Sequence, residues 1–309
     1  MHSQTPQGYQ VTRRSHSEFV PIRTHSYHVH TWGQPSPGKT PLVMVHGWMD
    51  VGASFQFVVD ALSQDRYVIA PDWRGYGRTT GPVTDNFWFP DYMADLDFLI
   101  DHYAPEQAVD LLGHSMGGNV VMLYAGVRPE RIRRLINLEG FGMPATKPAQ
   151  APGRYSKWMD ELKAHQRGDM ALRPYPDASG VARRLMKTNP RLSEDKAIWL
   201  AKHWAAPDAT GQWHILGDAA HKITNAQLYR VDEVLACYAH ISAPTLAIEA
   251  SDDSLTGWYK GSFTLEQYHE RLQSVPHVQT AKLQDAGHMM HHDQPLVLAQ
   301  LIEDFLNAP

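Results

Sequence analysis

Apolar runs and helical repeats alternate along the first 140 residues. Four short continuous apolar runs fit strands covered on both faces, and they lie at 42–45, 67–70, 109–112 and 135–138. Apolar positions recur at helical spacing between these runs, at 54–62, 92–103 and 119–126. Two earlier β-rich segments, 9–20 and 23–32, alternate as strands do. This order predicts a parallel sheet with helices on both faces.

The alternation stops after residue 140 and resumes near the C-terminus. Residues 141–235 contain no convincing strand but have helical segments, many prolines and four tryptophans, at positions 158, 199, 204 and 213. The later elements are strands near 244–248 and 278–284 and helices near 264–273 and 295–306. We therefore predict an α/β core formed by residues 1–140 and 236–309, with a helical lid inserted at 141–235.

Composition narrows the class of protein. The chain has 309 residues, of which 43% are apolar, enough for a large core. The formal net charge of −5 argues against a nucleic-acid surface. No stretch approaches the roughly 20 apolar residues of a membrane span, and the polar N-terminus lacks a signal-peptide pattern. We expect a cytoplasmic protein without nucleic-acid or membrane partners; the sequence specifies no oligomeric state.

The single cysteine, Cys237, excludes an internal disulfide.

A serine motif lies between the third buried strand and the helix after it. The segment Gly113-His114-Ser115-Met116-Gly117 matches G-x-S-x-G at a strand-to-helix turn. Such a turn is tight, so the serine takes a strained backbone and needs small neighbours. Its hydroxyl then projects beyond the strand end, in front of the following helix, whose N-terminus stabilises a developing oxyanion. The motif predicts that Ser115 is a nucleophile, with the backbone N–H of Met116 as one oxyanion donor.

Five segments together resemble the α/β-hydrolase superfamily. They are 46–48, 71–77, 113–117, 250–253 and 286–288. The resemblance is strongest to the lidded branch, which contains epoxide hydrolases, haloalkane dehalogenases, C–C bond hydrolases and small-molecule esterases. It implies a mostly parallel eight-stranded sheet. Epoxide hydrolases and dehalogenases carry an aspartate as the nucleophile in the strand-to-helix turn, which is called the nucleophile elbow. A serine at this position, Ser115, favours ester or C–C bond hydrolysis.

The resemblance also implies a base and an acid. A serine hydroxyl needs a neighbouring base, and His288, after the last strand, has the family's position for it. The family's usual acid falls at the end of Ser251-Asp252-Asp253, which favours Asp253. Glu139, at the end of the strand that follows the elbow helix, is the alternative, because one subgroup of dehalogenases carries its acid there; Asp252 is a third candidate.

Further positions are expected around the pocket. The resemblance assigns the second oxyanion donor to the backbone N–H of Trp48, and a loop-stabilising pair to Asp72 and Arg74. Expected pocket residues are His46, His114, Glu139, Met143, Trp158 and Trp204. For His46 the alternative is a hydrogen bond within its own loop. For each tryptophan the alternative is packing of the lid onto the core.

We expect no cofactor and no metal ion. His291 and His292 are interpreted as a pocket-edge and a surface residue, the alternative being a metal cluster with His288. His28 and His30 share one strand face, but no carboxylate lies near them in sequence. The predicted function is a carboxylesterase acting on small or medium acyl esters. Alternatives are a C–C bond hydrolase of aromatic catabolism, a lactonase or perhydrolase, and a non-catalytic protein that binds a ligand in the same pocket.

Overall fold

The computed structural model describes residues 8–309, so the first seven residues of the predicted core segment 1–140 lie outside the described residues. The described strands are β1 (His16–Ile22), β2 (His25–Trp32), β3 (Leu42–Val45), β4 (Val68–Pro71), β5 (Val109–His114), β6 (Ile132–Leu138), β7 (Ala205–Pro207), β8 (Trp213–Ile215), β9 (Thr245–Ala250) and β10 (Val278–Leu283). The described α-helices are α1 (Gln56–Ala61), α2 (Phe89–Tyr103), α3 (Met116–Val127), α4 (Ala151–Gln166), α5 (Ala178–Thr188), α6 (Glu194–Trp204), α7 (Val231–Ala239), α8 (Ser254–Tyr259), α9 (Leu265–Leu272), α10 (Met290–Asp293) and α11 (Pro295–Asn307).

Eight strands form one sheet in the order β1-β2-β4-β3-β5-β6-β9-β10. The pairs β1–β2 and β2–β4 are antiparallel, and the remaining pairs are parallel. The predicted eight-stranded, mostly parallel sheet is therefore confirmed. Strand β5, which ends at the serine motif, lies between β3 and β6, so the motif is at the centre of the sheet's C-terminal edge.

Strand β1 begins later than predicted. Residues 9–15 do not pair with β2; instead, they lie against α1. The Tyr9 hydroxyl and the backbone N–H of Arg13 both donate to the carboxylate of Asp60, the latter over 2.7 Å. The alternation of polar and apolar residues in this segment therefore reflects contacts with the end of a helix. Alternation alone does not distinguish such a segment from an edge strand.

Apolar layers cover both faces of the sheet. Successive residues of β5 point to opposite faces, so Leu111 packs with α2, α3 and α7 while Leu112 packs with α1 and α11. Side chains in both layers, such as Val120 on the first face and Ile302 on the second, are fully buried. Burial on both faces explains why these strands are continuous apolar runs.

The segment between β6 and β9 is mostly helical. Helices α5 and α6 enclose a separate apolar cluster that packs against Phe57 of α1. The prediction of no strand here is wrong, since β7 and β8 pair antiparallel. Each has three residues, too few to show a periodicity. The predicted boundary at residue 235 falls inside α7, whose Val234 and Tyr238 belong to the core layer beside α3.

A buried ion pair secures the loop after β4. Asp95 of α2 is fully buried and accepts two bonds from Arg74, over 2.6 and 2.7 Å, and a further one from the Tyr27 hydroxyl. Asp72 instead pairs with His28, whose Nδ1 lies 2.7 Å from its Oδ2. The expected pair between Asp72 and Arg74 is therefore wrong, because Arg74 turns toward α2 and Asp72 toward β2.

We expect Asp95→Asn to lower the free energy of unfolding by about 2–3 kcal/mol, since Arg74 loses its fully buried carboxylate partner and keeps only Asp91, 3.0 Å away and partly exposed. Urea denaturation followed by circular dichroism measures this change. Asp101→Asn is the matched control, because Asp101 lies on the same helix but is half exposed and should cost less than about 1 kcal/mol. Equal losses for the two variants would contradict the assignment.

His30 makes stability depend on pH. Burial lowers its pKa from 6.5 to about 4, so the folded protein holds a neutral imidazole where the unfolded chain binds a proton. The free energy of unfolding is therefore unaffected by His30 above pH 6.5. It decreases as the pH falls from 6.5 toward 4, by about 3 kcal/mol at most. His30→Gln should flatten the pH dependence of the unfolding free energy over this range. The exposed His277→Gln should leave it unchanged, and an unaltered slope in His30→Gln would contradict the prediction.

Among the described residues, no helix has the length and apolar composition needed to cross a bilayer.

Candidate active site

Ser115 occupies a strained turn between β5 and α3. Its φ of 54° and ψ of −115° lie outside the regions that non-glycine residues favour. The glycines of the motif are required by close backbone contacts. A Cβ on Gly113 would lie 2.3 Å from the carbonyl oxygen of Gly117, and one on Gly117 would lie 2.4 Å from that of Val45. Met116 begins α3, so its backbone N–H lies in the helix's first turn, where such groups lack intrahelical partners.

His288 and Glu139 are joined by a short hydrogen bond. The Nδ1 of His288 lies 2.7 Å from Oε2 of Glu139. The other carboxylate oxygen accepts the backbone N–H of Ala250 over 2.9 Å, which fixes the orientation of the carboxylate. Glu139 is buried and has a φ of 51°, so the chain turns sharply at the end of β6. With Nδ1–H donating to the carboxylate, Nε2 is the nitrogen free to accept a proton.

Neither aspartate after β9 reaches His288. Asp253 is exposed and caps α8, its Oδ1 accepting the backbone N–H of Thr256 over 2.8 Å. Asp252 forms a two-bond pair with Arg191, over 2.7 and 3.1 Å. The structure therefore corrects the choice of Asp253 as the partner of His288. It gives that position to Glu139, the alternative in the sequence analysis.

His46 and His114 lie behind the site and do not line its cavity. His46 is buried; its Nδ1 donates to the carbonyl oxygen of Gly47 over 2.8 Å, and its Nε2 accepts the backbone N–H of Trp73 over 2.9 Å. Nε2 of His114 donates to the carbonyl oxygen of His288 over 2.8 Å. Burial, with His291 and His288 nearby, lowers the pKa of His114 well below 6.5. The pocket roles predicted for both are wrong because their ring nitrogens face the loops instead.

A cavity of about 640 Å³ opens in front of Ser115. Of the predicted site residues, those along its wall are Trp48, Ser115, Met116, Glu139 and Met143. Trp158 and Trp204, predicted as pocket residues, are not part of the wall. The indole N–H of Trp204 donates to the Ser54 hydroxyl over 3.1 Å, and Trp204 packs α6 onto the core. This matches the alternative expectation, in which the tryptophans pack the lid onto the core.

Sequence reasoning missed several wall residues. Trp258 of α8 meets the His288 ring edge-on, with 4.3 Å between ring centroids. His221 stacks between Tyr76 and Phe87, and burial lowers its pKa to about 3. Trp258 follows Asp253 closely in sequence, a signal that could have placed it at the site. For His221 no local pattern predicts the position, since its contacts come from a distant loop.

The other two histidines near the C-terminus are fully buried. His291 and His292 have 0% and 2% exposure. Their interpretation as a pocket-edge residue and a surface residue is therefore wrong, because α10 turns both rings toward α1 and the loop after β3.

The sheet order and the elbow define an α/β hydrolase. The family model described as alpha/beta hydrolase fold matches residues 40–295, and the chain belongs to this family. It is 26% identical over 300 residues to a serine hydrolase-like protein of Danio rerio, covering 95% of this chain and 89% of that protein. It is 31% identical over 128 residues to a 2-hydroxymuconate semialdehyde hydrolase of Pseudomonas sp. (strain CF600), covering 40% of this chain and 45% of that one.

Solved structures share the fold. The thioesterase domain from the curacin biosynthetic pathway superposes with a TM-score of 0.79 at 24% identity, covering 94% of this chain and 99% of that domain. Both relatives described above are named as hydrolases, which supports a hydrolase activity for this chain.

Proposed function

We propose that this protein is a serine hydrolase that cleaves carboxylic esters of small or medium acyl chain length, with Ser115, His288 and Glu139 as its triad. The observation that carries the proposal is the hydrogen bond between His288 and Glu139 at the strand edge that presents Ser115. Nucleophile, base and acid are all side chains of this chain, so the chemistry needs no cofactor.

In this mechanism the Ser115 hydroxyl attacks the ester carbonyl while its proton moves to Nε2 of His288. Glu139 holds the ring orientation and stabilises the imidazolium. The oxyanion accepts hydrogen bonds from the backbone N–H groups of Met116 and, by resemblance, Trp48. His288 then protonates the leaving alcohol, leaving an acyl group on Ser115. Water, deprotonated by the same histidine, releases the acid and restores the hydroxyl.

The cavity is long enough to hold an acyl chain of medium length. Ser115, Asn119 and Leu123 all line it and lie four residues apart, on one face of α3. At 1.5 Å per residue, the wall at Leu123 is about 12 Å along the helix from the nucleophile. Val234 and Tyr238 of α7 continue this wall with apolar surface. We assign the segment between β6 and α7 the role of a lid, since His221 and Tyr229 close the cavity from that side.

We expect Leu123→Trp to lower kcat/KM for octanoyl esters at least about 10-fold while acetyl esters change less than about 3-fold, because the larger ring shortens the apolar wall. A p-nitrophenyl ester series from acetyl to decanoyl measures the profile. The control is Val127→Trp, since Val127 ends the same helix and is exposed. An unchanged chain-length profile in Leu123→Trp would contradict this placement of the acyl chain.

C–C bond hydrolysis is the second candidate, because the Pseudomonas relative is named as a 2-hydroxymuconate semialdehyde hydrolase. The same nucleophile and base serve both reactions, so substrates must separate them. Purified protein is assayed in parallel with p-nitrophenyl butyrate and with ring-fission products of catechols. Turnover of the esters alone supports the proposal, and faster turnover of the ring-fission products overturns it in favour of the second candidate.

A further inference from the structure

Three side chains from distant parts of the chain converge behind the serine turn. Asp50 follows β3, His114 ends β5 and His291 lies in α10, and their exposures are 3%, 2% and 0%. Each offers one oxygen or nitrogen atom, and these atoms lie within 4.8 Å of one another. The cluster is separate from the substrate cavity, whose wall contains none of the three.

The atoms that face each other in this cluster have no hydrogen-bond partner within residues 8–309. They are Oδ2 of Asp50, Nδ1 of His114 and Nε2 of His291, which lies 3.6 Å from the Asp50 oxygen; Nδ1 of His291 also lacks a partner. Buried polar atoms in native proteins are almost always paired, so a group of them in one place needs an explanation. When the proton of His291 is on Nδ1, its Nε2 joins Nδ1 of His114 and Oδ2 of Asp50 as a third electron-pair donor without an acceptor for that pair.

The other polar side-chain atoms of His114 and Asp50 already have hydrogen-bond partners in the protein. Nε2 of His114 donates to the carbonyl oxygen of His288 over 2.8 Å, which leaves the lone pair on Nδ1. Oδ1 of Asp50 accepts the backbone N–H of Val51 over 2.8 Å and the hydroxyl of Ser54. Histidine and carboxylate ligands of metal ions are oriented in this way, with the outer atom bonded to the protein and the inner one facing the metal.

We propose that Asp50, His114 and His291 form a binding site for one divalent transition-metal ion, with Zn²⁺ as the best match. Two imidazole nitrogens and one carboxylate oxygen suit zinc, whereas Ca²⁺ and Mg²⁺ prefer oxygen ligands throughout. Oδ2 of Asp50 and Nε2 of His291 are 3.6 Å apart. Neighbouring ligand atoms of a tetrahedral zinc are separated by roughly 3.4 Å.

A second group of similar composition, His28, His30 and Asp72, differs in the state of its donor atoms. Nδ1 of His28 is bonded to Asp72 over 2.7 Å, and its Nε2 lies 2.6 Å from the hydroxyl of Ser17. Oδ1 of Asp72 accepts the backbone N–H of Gly52 over 2.8 Å. This group is a satisfied hydrogen-bond network, which leaves few lone pairs for a metal ion.

The position of the proposed site suggests a structural role. His114 directly precedes Ser115, His291 is three residues after His288, and Asp50 is two residues after Trp48. An ion bound by the three would connect the serine turn, the base loop and the oxyanion loop from behind, without contacting substrate. Because no ligand is exposed, the ion would enter during folding, when the segments come together.

The test measures the metal content of the tag-free full chain refolded with and without Zn²⁺ and then gel-filtered in metal-free buffer. We expect about one Zn²⁺ per chain by plasma mass spectrometry and a higher Tm than for the metal-free form. Asp50→Asn keeps the shape of the side chain but removes the anionic ligand, so it should retain less than about a tenth of an equivalent. His214→Gln alters an exposed histidine that pairs with Asp208 and should bind like the unaltered chain.

Equal zinc content in Asp50→Asn and the unaltered chain would overturn the proposal. Because Asp50→Asn itself can impair folding, crystals of the unaltered chain grown with Zn²⁺ supply an independent result. An anomalous peak at the zinc edge between the three side chains supports the site. A water molecule alone at that position, or zinc bound only elsewhere, overturns it. Neither result depends on the proposed esterase activity.

Discussion

Ser115→Ala is expected to reduce kcat on p-nitrophenyl esters by at least roughly 10⁴-fold, because the variant lacks the hydroxyl that forms the acyl-enzyme in the proposed mechanism. Alanine tolerates the strained backbone of this turn about as well as serine does, so the fold should persist. Initial rates measure the loss. An organophosphonate probe should add one mass increment to the unaltered chain, on the peptide that contains Ser115, and none to the variant.

The control for this experiment is Ser63→Ala, which changes an exposed serine before β4. It should retain full activity and full labelling. Labelling of Ser115→Ala at the wild-type rate would contradict the proposed nucleophile, as would retained ester hydrolysis in that variant. A chain that labels at Ser115 but turns over no ester would instead favour the second candidate function.

Glu139→Gln is expected to reduce kcat by roughly 10³- to 10⁴-fold, because an amide no longer selects the tautomer that leaves Nε2 of His288 free to accept a proton. The amide oxygen of the new side chain can still accept the N–H of Ala250, so the Tm should change little. Steady-state kinetics on p-nitrophenyl butyrate measure the loss. Rates at several pH values separate a changed proton-transfer step from a general loss of folded protein.

Asp253→Asn is the matched comparison, since it makes the same chemical change at the other candidate acid. Asparagine caps a helix nearly as well as aspartate, so α8 should be retained and kcat should fall less than about 3-fold. A larger loss in Asp253→Asn than in Glu139→Gln would contradict the assignment of the triad and favour Asp253 as its acid.

Much of the fold was predictable because its signals are local. Strands buried on both faces require continuous apolar runs, and helices on a sheet require an apolar stripe, so both leave a readable period in the sequence. Strands β7 and β8 show no periodicity in the sequence, because each has only three residues. Strand β1 was extended too far, because a segment bonded to Asp60 has the same polarity pattern as an edge strand.

The proposed nucleophile and the proposed base could also be predicted from the sequence. Gly113 and Gly117 are required because a Cβ at either position would lie 2.4 Å or less from a backbone oxygen, a local demand that places small residues at defined spacing around Ser115. The position of His288 after the last strand follows from the chain order of the α/β-hydrolase family. The metal-site proposal had no such signal, since Asp50, His114 and His291 are brought together only by folding.

The sequence by itself determined a mostly parallel α/β sheet, a serine at a strand-to-helix turn and a histidine in the family's position for the proposed base. Only the tertiary structure decided which carboxylate meets that histidine. Strands β6 and β9 are neighbours, with Leu138 opposite Ile248, so Glu139 and Asp253 both follow strand ends at the same sheet edge. The positive φ of Glu139 turns its carboxylate toward His288, whereas Asp253 turns away to cap α8. These backbone torsions depend on long-range packing, which no short motif encodes.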